Sequence, residues 1–375
     1  MLKIDAMIGG VLGLGLGDAA AWQFGGLSPK NAQGLVNNHF EVTKKQSWLH
    51  GALTSWTVIQ IDSMLYRPRG LSYIDDLVLR NHLLVAPKNG AALRGSAPAA
   101  KNILRQTWKN LTKGDAPMLT GETEPRADLI AAMLPWAFAI ENSQHQVIEA
   151  VMESGLLISR HPRTLGAMAF YVGAARYFLS TEEIVLEDAF AAGKTLFNLG
   201  LDYLRKNRGG TLSDSIDNAV SIMDVESAIA QSQEWTYLLP TTNLDIRCCP
   251  EKVLGLAMAF SELAPSQVHA ALKNIVEHGG ACDVIAPLAL SLFGLRHGKS
   301  HLPLALVRQL RSALWLERRV RALFGKRPPR AEPWVYLELI LSDWLEQGKT
   351  DDEIELPIDE TVEIKEVTRK QLSLL

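Results

Sequence analysis

The feature that most constrains this chain is its apolar periodicity. Hydrophobic residues recur at helical spacing over most of its length, in long Ala, Leu and Met stretches with few alternating β-type runs, so the chain reads as all-α. Helices are expected over 54–66, 71–84, 98–112, 127–140, 145–157, 163–179, 184–206, 213–233, 250–262, 265–278, 283–296, 303–324 and 333–346. In several of them, as in Leu129-Ile-Ala-Ala-Met-Leu-Pro-Trp-Ala-Phe, apolar residues cover more than one face. Such a helix has no solvent side and must be enclosed by others, which predicts a compact multi-helix bundle.

Ser72, Thr181 and Ser213 are candidate N-caps, and Gly70, Gly114, Gly209, Gly210 and Gly298 sit where the chain is expected to leave helices. Pro135, inside a helical pattern, predicts a kink or break near 131–135. Arg318 to Arg330, with Pro328-Pro329, is expected as a basic surface loop, and residues 350–366, acidic and alternating, as a solvated tail or a late edge hairpin.

Composition excludes several function classes. Hydrophobic residues at 47% and charged residues at 21% exclude a disordered or collagen-like chain. With 38 basic and 41 acidic residues there is no global basic field, so nucleic acid is not an expected partner. Cys248, Cys249 and Cys282 form neither a disulfide framework nor a CxxC zinc pattern, which points to a reducing, cytoplasmic setting. The uncharged runs Ala6–Gly17 and Val284–Leu295 fall short of the roughly 18–20 residues of a membrane span, so no membrane partner is expected. The N-terminal apolar run imitates a secretory signal, but its five glycines between positions 9 and 17 and the acidic Asp5 place it in the mature fold.

Those glycines, in Gly9-Gly10-Val-Leu-Gly13-Leu-Gly15-Leu-Gly17-Asp18, lack the strand and spacing of a dinucleotide loop. Glycines 10, 13 and 17 fall near one helical face, where they let two helices approach closely. Three other places have unusual local grammar: Leu53-Thr54-Ser55-Trp56-Thr57 opening a helix, Arg160-His161-Pro162, and Gly279-Gly280-Ala281-Cys282-Asp283-Val284 opening another. Two helix starts facing each other would make an anion-binding cleft. Taken singly, a His before Pro is usually structural and Gly-Gly before a helix is usually a turn.

Together these segments resemble the ADP-ribosylglycohydrolase family from about residue 4 to about residue 303. Met7-Ile-Gly-Gly-Val-Leu-Gly-Leu-Gly-Leu-Gly-Asp-Ala is similar to the family's opening, where Gly-Asp-Ala closes the first helix. Arg160-His161-Pro162 is similar to its Thr-His-Pro, and Gly279-Gly280-Ala281-Cys282-Asp283-Val284, with Gly294 and Gly298 beyond, to its Gly-Gly-Asp-Thr-Asp-Thr. The implied organisation is a helical domain of that family over 1–303, with a helical extension and acidic tail over 304–375 packed on it.

The resemblance implies an all-α fold that holds two magnesium ions between helices, through a Thr-Asp-Asp-Thr turn and the two aspartates of Gly-Gly-Asp-Thr-Asp-Thr. Two divalent ions about 3.5–4 Å apart need several hard oxygen ligands. Here the first motif reads Thr54-Ser55-Trp56-Thr57, without carboxylates, and the second keeps only Asp283, with Ala281 and Val284 at two of its polar positions. Gln23 stands where the family places an acidic residue and cannot do acid–base chemistry. The family's Asn-Gly-Ala-Ala-Met-Arg has two possible equivalents, Asn89–Arg94 or, preferred, Ala127–Leu134, with Arg94 to Pro98 then matching the preceding glycine-rich loop. Asp18, Asp62, Glu122, Glu124 and Asp283 are the remaining nearby carboxylates, too few for a di-magnesium centre, so no cofactor is expected.

The expected function is therefore binding on a degenerate hydrolase scaffold, of an ADP-ribose-like ligand or of a protein partner. Gln23, Thr54, Ser55, Trp56, Thr57, His161, Gly279, Gly280 and Asp283 are the candidate cleft, with Trp22 and Phe24 beside it, and Asp283 the one candidate for chemistry. In this reading Asp283 meets a ribose hydroxyl or caps its helix, and the Gly279 and Gly280 amides meet a phosphate. The alternative is a metal-independent hydrolase of an N-glycosidic or ADP-ribosyl bond using Asp283 or Glu122, recognisable by a second carboxylate beside Asp283 and a shifted pKa. A third reading, an adaptor for nucleic acid or a membrane surface using Arg311, Arg318, Arg319, Arg321, Lys326, Arg327 and Arg330, competes with a plain solvated helix face.

Overall fold

A computed structural model of the chain describes residues 3–41, 48–66, 121–217 except 122, 140, 141 and 182, and 244–324, with isolated helical positions between 103 and 110. The expected elements over 71–84, 218–233, 333–346 and 350–366 and most of 98–112 lie outside them, as do Gly70, Ser72, Asn89–Arg94, Gly114, Glu122 and the side chain of Asp62. The described residues form helices and turns and no strand, and Trp48 and Leu310 make an isolated bridge.

The centre is an antiparallel pair, α1 (Lys3–Ala21) and α10 (Cys282–His297). Glycine makes it possible. A Cβ on Gly9 would strike the backbone of Gly294, on Gly13 that of Leu290, and on Gly17 that of Ala286 and Pro287. The face that meets the α10 backbone is thus 9, 13 and 17, four residues apart, whereas Gly10 meets the Leu295 side chain. Its span Ile4–Ala21 is apolar and long enough to cross a bilayer, yet α1 is almost wholly buried among other helices.

Around this pair lie α3 (Ala52–Tyr66), α6 (Pro162–Ser180), α8 (Pro250–Phe260) and α12 (Ala313–Leu323). α6 packs along the long α7 (Leu186–Asp217), which also meets α5 (Gln144–Leu156), while α2 (Pro29–Phe40) lies on α9 (Val268–Glu277). The break predicted at Pro135 is present: a 3-10 turn, Ile130–Met133, passes into the single turn α4, Leu134–Ala137, with the proline in its opening positions.

Five expectations need correction. α7 continues through Gly209 and Gly210, so the chain does not leave a helix there, and Ser213 lies inside α7 instead of capping a new one. Thr181 is the C-cap of α6 and donates its hydroxyl to the Glu183 carbonyl at 2.9 Å. The expected 303–324 helix is split into α11 (Leu304–Val307) and α12, where Trp48 N donates to the Gln309 carbonyl and Arg311 N to the Trp48 carbonyl and so pairs Leu310 with Trp48 between two turns. The basic run is no loop where it is described: Arg318, Arg319 and Arg321 are helical, Arg319 is buried, and Arg321 shares Glu317 with Lys299. That leaves no continuous basic strip on α12, and Lys326, Arg327 and Arg330 lie outside the described residues.

α2 was not foreseen. Ser28 accepts from Asn31 N, Pro29 opens the helix, and Ala32, Val36 and Phe40 form its buried stripe. Its last turn carries His39, stacked on Trp48 with centroids 4.7 Å apart and edge-on to Phe24 at 5.1 Å. Burial in this aromatic cluster lowers its pKa to about 4, with contact to the Ala20 backbone opposing. The folded state therefore binds fewer protons than the unfolded chain between about pH 6.5 and 4, so this contribution is full above pH 6.5 and is lost as the pH falls through that window. The shift corresponds to roughly 3 kcal/mol at most. Urea denaturation at pH 7.5 and 4.5 should show the wild type losing more stability on acidification than His39→Leu does; equal losses would remove His39 from the account.

Candidate functional site

The last turn of α1, the first turn of α3 and the first turn of α10 meet at one end of the molecule. Cys282 at the start of α10 lies against the Ala21 carbonyl, and Asp18 of α1 reaches the start of α3. α3 is preceded by Gly51, which has no side chain with which to cap it. Asp18 Oδ2 supplies the cap instead, accepting from Gly51 N at 2.9 Å, Thr54 N at 2.9 Å and Thr54 Oγ1 at 2.6 Å. Burial raises the Asp18 pKa; these hydrogen bonds and the neighbouring His50 work the other way. His50 in turn bonds Ser312 at the start of α12, at 2.8 Å.

The candidate residues on α3 all turn inward. Thr54 is bound to Asp18, Ser55 Oγ donates to the Gly51 carbonyl at 3.2 Å, and Thr57 Oγ1 donates to the Leu53 carbonyl at 3.0 Å. Trp56 is 4% exposed and belongs to the core. Trp22 is half-buried, with its indole N–H on the Leu49 carbonyl at 3.2 Å, and Phe24 is buried against His39.

Gln23 is exposed in the turn after α1. That turn is clamped to the glycines before α10: Gly26 N donates to the Gly280 carbonyl at 2.7 Å and Gly280 N to the Leu27 carbonyl at 2.9 Å. Gly279 and Gly280 have φ of +60° and +56°, the left-handed conformation that glycine adopts without strain. Gly279 N donates to the Val276 carbonyl at 3.0 Å. Both amides are committed to main-chain acceptors and both residues are buried, so the expectation that they meet a phosphate does not fit this arrangement.

Asp283 does not cap its helix, which starts from Ala281 without a side-chain cap. Instead it faces Arg247, at the end of the 3-10 turn Leu244–Cys248. Arg247 Nη2 donates to Asp283 Oδ1 and, at 2.8 Å, to the Gly280 carbonyl; Nη1 donates to Asp283 Oδ2 at 3.0 Å and to Asp128 Oδ1 at 2.8 Å. Arg126 Nε takes the other Asp128 oxygen at 2.9 Å. All three side chains of the Asp128–Arg247–Asp283 group are almost fully buried. Burial pushes the Asp283 carboxyl up to about 6 against the pull of Arg247. Burial also disfavours the Arg247 charge, but Asp283 and Asp128 outweigh it and hold the guanidinium above its ordinary range. Next to this group, Arg163 of α6 pairs with Glu251 of α8.

His161 is the N-cap of α6, two residues before Arg163. Its Nδ1 accepts from Arg163 N at 3.2 Å, and burial followed by the Arg163 charge lowers its pKa, as a neutral capping acceptor requires. Glu124 is exposed. Among the described residues no three His, Cys, Asp or Glu side chains come together as metal ligands. The three cysteines are free. Sequence reasoning did not single out Arg247 or Asp128. The one local signal was an arginine inside the apolar Ile246-Arg247-Cys248-Cys249 before a helix; its partners lie 119 and 36 residues away.

A sequence model of the ADP-ribosylglycohydrolase family matches residues 2–333, which take in the whole described fold. The chain belongs to the ADP-ribosylglycohydrolase family. The match runs past residue 303 and takes in α11 and α12, which pack on α1 beside the rest of the fold. A solved structure titled ADP-ribosylglycohydrolase-related protein complex is similar at TM-score 0.54 and 16% identity, covering 86% of this chain and 98% of that one. At that identity the likeness concerns the ADP-ribosylglycohydrolase fold alone. No curated protein sequence matches the chain.

Proposed function

We propose that this ADP-ribosylglycohydrolase family member acts by binding, of an ADP-ribose-like ligand or of a protein partner, and not by di-magnesium hydrolysis. The observation that carries this reading is that the groups standing at the family's metal and phosphate positions serve the protein's own fold. The hydroxyls of Thr54, Ser55 and Thr57 donate within the chain, Trp56 fills core space, Ala281 offers no side-chain donor, and both Asp283 oxygens take Arg247. A pair of magnesium ions does not fit this set, which offers one carboxylate already bound to a cation. Leu314 and Phe324, 56% and 45% exposed on and just beyond α12, give a protein partner apolar contact.

One observation favours the metal-independent hydrolase: Asp128 is a second carboxylate beside Asp283, whose pKa is displaced to about 6. Against it stands burial, since the Asp128 and Asp283 side chains are 0% and 5% exposed and a substrate must reach an acid or base to use it.

Calorimetric titration with ADP-ribose, with and without magnesium and with a thermal-shift check, separates these readings. A ligand at 100 times its Kd adds about 2.7 kcal/mol of stability if it binds only the folded state. Magnesium-independent binding, or no binding together with capture of a protein partner, is the expected result. Binding that requires magnesium would overturn the proposal. Release of ADP-ribose from an ADP-ribosylated peptide, lost in Asp283→Asn, would establish the hydrolase instead.

A further inference from the structure

Four oxygens from three residues in two segments converge on one guanidinium. They are Asp128 Oδ1, both carboxylate oxygens of Asp283, and the Gly280 carbonyl. A shell of oxygens, partly anionic and partly carbonyl, is the donor chemistry of a hard divalent cation. Here the cation is a side chain. Guanidinium is charged at every accessible pH and presents its N–H groups in a planar fork that matches a carboxylate in two-point contact.

We propose that Arg247 is the resident cation of this cage, pinning the start of α10 to the 126–128 segment and keeping a divalent ion off the same oxygens. The inference rests on the binding reading above and adds to it how the positive charge at this place is supplied. Charge balance supports it. Asp128 and Asp283 bring two negative charges into a place that is nearly free of solvent, Arg247 stands between them, and Arg126 closes the far side of Asp128. Without Arg247 the two carboxylates would share one buried space, and one of them must then take a proton or a cation.

The test uses the full chain as wild type, Arg247→Ala, Arg247→Lys, Asp283→Asn and the double variant Arg247→Ala/Asp283→Asn. Each is titrated with MnCl2, with free Mn2+ read by electron paramagnetic resonance, and melted with and without MnCl2. Arg247→Ala should bind about one Mn2+ at least tenfold more tightly than wild type and should melt higher with the ion present, and Asp283→Asn should abolish both gains. Arg247→Lys, which keeps the charge but not the fork, should gain no Mn2+ affinity over wild type. A folded Arg247→Ala whose Mn2+ affinity equals that of wild type would overturn the proposal. So would wild-type Mn2+ binding that Asp283→Asn removes, or an Arg247→Ala that stays unfolded in MnCl2 while Arg247→Lys folds. These outcomes concern Mn2+ on the variants, whereas the binding reading falls on magnesium-dependent ADP-ribose binding by the wild type, so the two failures are distinguishable.

Discussion

Gly13→Ala is expected to destabilise the protein by at least about 3 kcal/mol, and Gly34→Ala to stabilise it by about 0.5–1 kcal/mol. Both are the same substitution at a helical glycine, in α1 and α2 respectively. Helix propensity favours alanine at each, because glycine leaves the backbone freer in the unfolded chain. The sign is decided by what the new methyl meets. At Gly34 there is nothing within 4 Å. At Gly13 it would overlap the Leu290 carbonyl, a backbone atom held by the hydrogen bonding of α10, which cannot swing aside as a side-chain tip would. Relief requires α1 and α10 to separate, and the neighbouring contacts at Gly9 and Gly17 would separate with them. Urea denaturation followed by circular dichroism measures both variants; a Gly13→Ala as stable as wild type would mean that the two helices are not in backbone contact.

The second large effect is expected at Asp18. Asp18→Ala should cost about 3–5 kcal/mol, Asp18→Asn distinctly less, and Thr54→Val about 1 kcal/mol. Removing the carboxylate strands three donors, the amides of Gly51 and Thr54 and the Thr54 hydroxyl, in a place closed to water. Asparagine keeps one acceptor oxygen there and avoids burying a charge, which offsets part of what it loses. Valine at 54 removes one donor and preserves the side-chain shape. The same urea series ranks the three. If Asp18→Ala matched or exceeded wild-type stability, the carboxylate would be a strained group kept for chemistry, and its part in holding α3 would have to be abandoned.

Much of the fold was legible because helices announce themselves locally. The stretches around α5, α6, α8, α9 and α10 are bounded to within a few residues by apolar period. The break at Pro135 follows from one missing N–H and one ring clash. The departures have a common cause. α7 runs through Gly209-Gly210 because two glycines weaken a helix without forbidding it, and the split between α11 and α12 falls where Leu310 pairs with Trp48, more than 250 residues upstream in the chain. α2 is short and mostly polar, so its three-residue buried stripe carries little periodic signal.

The sequence by itself determined an all-α bundle and the glycine-lined approach of α1 to another helix. These follow from residue type and spacing along one helix, which are local quantities. Only the tertiary structure decided what the surviving polar groups do: Asp18 caps α3, the Gly279 and Gly280 amides close a turn, and Asp283 joins Asp128 around Arg247. A buried charge needs a partner, but nothing in the chain order says which one. That choice is fixed by which helix ends packing brings together, because only there does the loss of water make pairing compulsory.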